Sequence, residues 1–153
     1  MRAKYAHDAK MTSLNRIGTI ATDFRFADKR GGIRTLHSIQ SPFTLLFFSN
    51  PGCDACYNII EMLKGQEVIA GMIKSGYISV LNIYIDEDLQ AWRDYMPIYP
   101  DEWYNGFDPD LAIRTDNLYS VRAIPSLYLL DQDKRVIMKD APENKLFNYL
   151  NNI

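Results

Sequence analysis

The apolar pattern of the chain changes period several times. Phe43–Phe48 reads Phe-Thr-Leu-Leu-Phe-Phe, apolar on both faces, as expected of a central strand covered on both sides. A cluster of turn formers follows, Ser49-Asn50-Pro51-Gly52. The spacing then becomes helical: Ile59, Ile60 and Leu63 share one face, and beyond Gly65 the pattern resumes with Val68, Ile69, Met72 and Ile73. Ser75-Gly76 ends this region as a glycine C-cap would. Tyr77–Ile85 is again rich in β-formers. Strand, helix and strand, with both strands largely apolar, predict a parallel βαβ unit with a right-handed crossover.

The flanking segments complete the frame. Phe24 and Phe26 alternate with Asp23 and Arg25, residues 28–32 are turn formers, and Ile33, Thr35 and His37 continue beyond them, so residues 21–39 predict a β-hairpin. Asp86-Glu87-Asp88 suits the start of a helix reaching Tyr95, because carboxylates favour the positive end of the helix dipole. Residues 96–109 hold three prolines and the aromatics Tyr99, Trp103, Tyr104 and Phe107. They read as an irregular insertion packed on the core, with Trp92 beside them. Residues 111–119 predict a helix. Strands are predicted over Ser126–Leu130 and residues 135–139, joined by the turn at residues 131–134, and Pro142 opens a last helix to Leu150. Residues 1–20 read as a polar N-terminal arm and 21–153 as one domain.

Composition narrows the choice of function. A chain of 153 residues that is 47% apolar and 24% charged is globular and long enough to bury a full core. Its net charge of −2 offers nothing to neutralise phosphates, so nucleic acid is not an expected partner. No apolar run approaches the roughly 18 residues of a membrane span, and the first residues lack the apolar centre of a signal peptide. A monomer is expected.

Cys53 and Cys56 are the only cysteines, and they stand where the predicted helix begins. Unpaired N–H groups and the dipole at that end favour a thiolate, and can draw a cysteine pKa from about 8.5 into the range of roughly 3.5–7.5. The two intervening residues put the second cysteine one turn on, near enough to attack a mixed disulfide. Cys53 is the expected attacking thiol and Cys56 the more buried resolving thiol, a redox-active disulfide that needs no cofactor. Half a zinc site is a competing use of such a pair. Zinc takes four ligands, however, and the only histidines, His7 and His37, are far apart in sequence.

The strand–turn–Cys-x-x-Cys–helix segment, followed by Ala123-Ile124-Pro125-Ser126 and the strand over Leu127–Leu130, resembles the thioredoxin superfamily. Asp23-Phe24, Asp28, Gly32, Leu36 and the aromatic insertion are similar to its TlpA/ResA-like thiol–disulfide oxidoreductases of Bacteroidetes type. The resemblance implies a thioredoxin-like α/β fold: a central mixed sheet flanked by helices, an N-terminal β-hairpin, and an insertion before the strand that follows Pro125. It also implies a cis Ile124–Pro125 bond, with the Ile124 backbone free to pair with an extended substrate. Protein disulfides or dithiols would be the substrates, an electron donor that the sequence does not identify would be the partner, and the location would be periplasmic or otherwise extracytoplasmic.

The chain departs from that pattern around the cysteines. Gly52 stands where thioredoxins carry Trp. Phe47 stands where they carry a buried acid that assists proton transfer to the second cysteine. Asp54 places negative charge beside the Cys53 thiolate and opposes the dipole, which favours a less oxidising couple.

The leading expectation is an enzyme that reduces protein disulfides. The alternative is a non-catalytic thioredoxin-fold binding module with a structural or regulatory disulfide, and a third reading is a copper-shuttling dithiol. A glutathione redox titration is expected to place the couple nearer about −270 mV than about −120 mV; a value above about −180 mV would contradict the role given to Asp54.

Overall fold

The run that is apolar on both faces becomes the middle of a sheet. The computed structural model describes residues 14–153 apart from 120 and 122, so most of the expected arm, His7 included, lies outside the described residues. Among the described residues one sheet holds seven strands: β1 (Arg25–Asp28), β2 (Ile33–Thr35), β3 (Phe43–Phe48), β4 (Ile78–Tyr84), β5 (Tyr104–Phe107), β6 (Ser126–Leu130) and β7 (Val136–Met138). Their order across the sheet is β2-β1-β5-β4-β3-β6-β7. β3 pairs parallel with β4 and antiparallel with β6, and every β3 residue after Phe43 is buried.

Helices α1 (Asp54–Gly65), α2 (Glu67–Lys74), α3 (Leu89–Tyr95), α4 (Ala112–Thr115) and α5 (Glu143–Leu150) accompany the sheet. Alternation along β3 divides the core into two layers. Leu45 and Phe47 pack with Ile59 and Ile60 of α1, Ile69 of α2, Trp92 of α3 and Leu146 of α5. Leu46 and Phe48 pack on the other side with Phe24, Phe26, Ile113 and Tyr119. Each such side chain contributes roughly 1.5–3 kcal/mol when fully buried. A mixed sheet between these layers, with the hairpin at one edge, is the thioredoxin-like fold.

Four local expectations are corrected. The insertion is not wholly irregular: it supplies β5, parallel to β4 from Leu81↔Tyr104 to Tyr84↔Phe107, and β1 pairs antiparallel with its other edge. The helix expected over 111–119 is the single turn of α4, because Leu111 (φ 51°) and Asn117 (φ 52°) are left-handed on either side of it. The helix expected from Asp86 begins at Leu89, where the Asp88 carboxylate accepts from the Ala91 N–H at 3.1 Å. His37 leaves the hairpin strand for a 3-10 turn, Leu36–Ser38, closed by reciprocal bonds between Thr35 and Ser38. Residues 14–20 approach β7, with the Gly18 N–H donating to Val136 O at 2.8 Å.

Gly106 is where β5 meets the hairpin. A Cβ there would stand 2.8 Å from Ala27 O and 2.8 Å from Phe26 Cδ2. Gly106→Ala is expected to cost about 1–3 kcal/mol through overpacking, seen in a circular-dichroism melt as a fall of roughly 2–4 °C per kcal/mol. An unchanged melting temperature would show that the contact yields freely.

Candidate active site

The pairing of β3 determines what meets at its C-terminal end. Ser126 lies opposite Phe48, so the antiparallel register carries Pro125 to the level of Ser49, just past the paired residues. From Ser49 the chain turns through Gly52, whose φ of +74° is left-handed. A side chain in this conformation would be strained, which accounts for glycine at this position. The Cys53 N–H donates to Asn50 O at 3.3 Å within the same turn.

Cys53 is the N-cap of α1. Its backbone is extended (φ −81°, ψ 116°), its carbonyl accepts from the Tyr57 N–H at 3.0 Å, and its Sγ accepts from the Cys56 N–H at 3.2 Å. Sulfur thus takes the place of the oxygen of an ordinary Ser or Asp cap, at the positive end of the dipole. Cys53 and Cys56 are joined as a disulfide, with Cα atoms 5.2 Å apart. Cys53 is half-buried, Cys56 is 1% exposed and Asp54 is exposed. The structure therefore gathers Gly52, Cys53, Asp54 and Cys56 into one turn.

The Ile124–Pro125 peptide is cis. Ile124 packs against the same core cluster as Cys53. Pro125 and Leu127 share an open cavity with Ile59 of α1 and with Ala141, Pro142 and Glu143. The cysteine helix and the proline loop thus border a common groove.

No carboxylate lies at Phe47, which is fully buried with its ring edge-on to Trp103 at 6.4 Å. Asp86 forms an ion pair with Arg114, and Asp88 caps α3, so those acids serve the surface. Asp108 is a buried acid that periodicity did not reveal. Burial pushes its pKa up, but its oxygens accept from Asp110 N–H at 3.1 Å and Ile113 N–H at 2.8 Å, holding the turn before α4 on the other core layer.

A second group missed from the sequence lies behind the cysteine turn. The buried Ser49 hydroxyl donates to Asn82 Oδ1, Asn82 Nδ2 donates to Asn105 Oδ1 at 3.0 Å, and Asn105 Nδ2 donates to Pro100 O at 2.8 Å. Asn82 is the register partner of Phe47. A lone amide inside the apolar run Val80–Tyr84 was the signal that could have found it. Among the described residues, no cluster of three or more His, Cys, Asp or Glu could hold a metal, and no helix is long and apolar enough to cross a membrane.

No family model matches the chain, and no curated protein matches it. Solved structures do match. A thioredoxin-like protein from Bacteroides caccae superposes with a TM-score of 0.93 at 38% identity, over 97% of this chain and 53% of that one, so the chain spans about half its length. The C-terminal domain of an uncharacterized protein from Bacteroides fragilis gives 0.86 at 44% identity, over 90% of this chain and 99% of that one. The thioredoxin domain of a thiol-disulfide oxidoreductase from Bacteroides vulgatus shares the fold, with a TM-score of 0.75 at 16% identity over 89% and 96% of the two chains.

The exposure difference between the two sulfurs generates a direct expectation. Reduced protein treated with limiting iodoacetamide at neutral pH should carry its first label on Cys53, located by peptide mass mapping. A first label on Cys56 would contradict the burial order.

Proposed function

This chain belongs to the thioredoxin superfamily, and we propose that it is a TlpA-like thiol–disulfide oxidoreductase that reduces protein disulfides through Cys53 and Cys56. The observation that carries the reading is the placement of the Cys53 sulfur at the N-cap of α1, half-buried, with Cys56 enclosed behind it.

In the proposed cycle the Cys53 thiolate attacks one sulfur of a substrate disulfide. A Cys53–substrate bond forms, the substrate S–S bond breaks, and the first substrate thiolate leaves. Cys56 then loses its proton and attacks Cys53 Sγ. The Cys53–Cys56 bond forms, the mixed disulfide breaks, and the second thiolate leaves. Two electrons pass from the enzyme dithiol to the substrate, whose thiolates take up two protons from solvent. No other cofactor enters the cycle. A dithiol reductant would restore the enzyme.

The remaining residues have supporting roles in this reading. Gly52 permits the turn that presents Cys53, and leaves the surface around it open. Asp54 disfavours the Cys53 thiolate relative to a neutral residue and biases the couple towards reduction. Ile124 and Pro125 line the groove beside α1 and would hold an extended substrate segment by main-chain pairing. An extracytoplasmic location and a monomeric state complete the proposal.

Insulin reduction tests it. Wild type with dithiothreitol should accelerate B-chain precipitation, and Cys53→Ser should return the rate to that of dithiothreitol alone. Equal rates for the two proteins would remove the proposal and favour a binding module with an inert disulfide.

A further inference from the structure

The groove beside Pro125 has a wall that is fixed from behind. Asp140, in the loop between β7 and α5, has a left-handed backbone with φ 48°, a conformation that aspartate tolerates better than most residues. The buried Ser126 hydroxyl, on the residue after Pro125, donates to Asp140 Oδ1 at 2.9 Å. The Ala141 N–H donates to Leu127 O at 3.0 Å. Two hydrogen bonds thus tie the loop to the start of β6, and the loop carries Pro142 and Glu143 to the edge of the groove.

The cavity encloses about 530 Å³, and its lining divides by chemistry. Ile59, Pro125 and Leu127, with Ala141 and Pro142 of the loop, offer an apolar surface, while Glu143 and Asn144 are polar. Glu143 is the one charged residue among the described residues that line it. Its side chain belongs to an exposed residue, and among the described residues no ion pair engages it. Asp54, directly after Cys53, is likewise exposed and without an ion pair among them. Lys145 is two residues beyond Glu143 on α5, a spacing at which helical side chains do not face each other. A chain segment laid beside Pro125 therefore meets an apolar surface next to an unneutralised carboxylate.

We propose that Glu143 is a specificity-determining residue for disulfide reduction. It favours protein substrates that carry Lys or Arg close to the attacked cysteine, with an apolar neighbour of that cysteine seated against Ile59 and Pro125. The inference rests on the dithiol reading of Cys53 and Cys56. Its physical basis is charge complementarity at a partly exposed site, which alters the rate of productive encounter more than the chemistry of the sulfurs.

The test uses short peptides whose single cysteine, next to leucine, is capped as a mixed disulfide with thionitrobenzoate. The peptides differ only in a flanking Lys, Gln or Glu. Cys53 Sγ attacks the peptide sulfur, the Cys53–peptide bond forms, and the coloured thionitrobenzoate leaves with the electron pair of the broken S–S bond. Stopped-flow absorbance of fully reduced protein gives the second-order rate. Wild type should favour the Lys peptide over the Glu peptide about fivefold at low ionic strength, the scale of exchanging attraction for repulsion at an exposed pair, and the ratio should shrink in added salt. Glu143→Gln should at least halve the ratio and Glu143→Lys should invert it. Hydroxyethyl disulfide, which carries no charge, should react with all three proteins at one rate. A carboxylate that serves only the dipole of α5 would change the melting temperature and leave the peptide ratio untouched. No Lys preference in wild type, or the wild-type ratio retained in both variants, overturns the inference. Failure of wild type to react with hydroxyethyl disulfide would instead remove the dithiol reading itself.

Discussion

Every feature of the cysteine end depends on the pairing of β3 along both edges. A strand buried on both faces satisfies its backbone N–H and C=O groups only through its neighbours. β3 therefore needs β4 on one side and β6 on the other, in fixed register. A slip of one residue would exchange Leu45 and Phe47 with Leu46 and Phe48 between two differently shaped core layers. The same register that protects the core brings the Ser126 end of β6 to the Phe48 end of β3. The cysteine turn and the proline loop are neighbours because they are the two exits of one antiparallel ladder.

The insertion extends that frame sideways. β5 fills the gap between β4 and the hairpin, so two strands distant in sequence become one continuous sheet. Trp92, Tyr99 and Trp103 pack beneath α1, while Trp92 stacks edge-on against Phe107 at 5.0 Å. The aromatic mass thus lies inside the molecule and does not form an external patch. It also shapes the dielectric around the buried sulfur. The apolar wall formed by Phe47 and Trp103 and the amide–hydroxyl group of Ser49, Asn82 and Asn105 stand side by side on the face that α1 covers.

Electrostatics at the pair combine opposing influences. The N-cap position favours a thiolate at Cys53, and the exposed Asp54 disfavours it. Solvent screens the carboxylate more than it screens the helix end, because Asp54 is exposed and the cap N–H groups point into the turn. On the proposed reading, position gives the site its chemistry and its neighbours adjust the strength.

Much of this was legible in the sequence alone. The double-sided apolar run, the switch to helical spacing after Gly52, and the cysteine pair at that switch are local patterns, and local patterns are set by backbone geometry and side-chain period. They determined the βαβ unit and the position of both sulfurs at the start of a helix. Tertiary structure alone decided that Tyr104–Phe107 is a strand, that the helix after Leu111 stops after one turn, that Asp108 is buried, and that Ser49, Asn82 and Asn105 converge. Each of these rests on a partner far along the chain: β4 and β1 for β5, the hairpin layer for α4, and three separate segments for the polar group. Such pairings leave no periodic trace, because what stabilises them is the neighbour that folding brings and not the order of residues beside them.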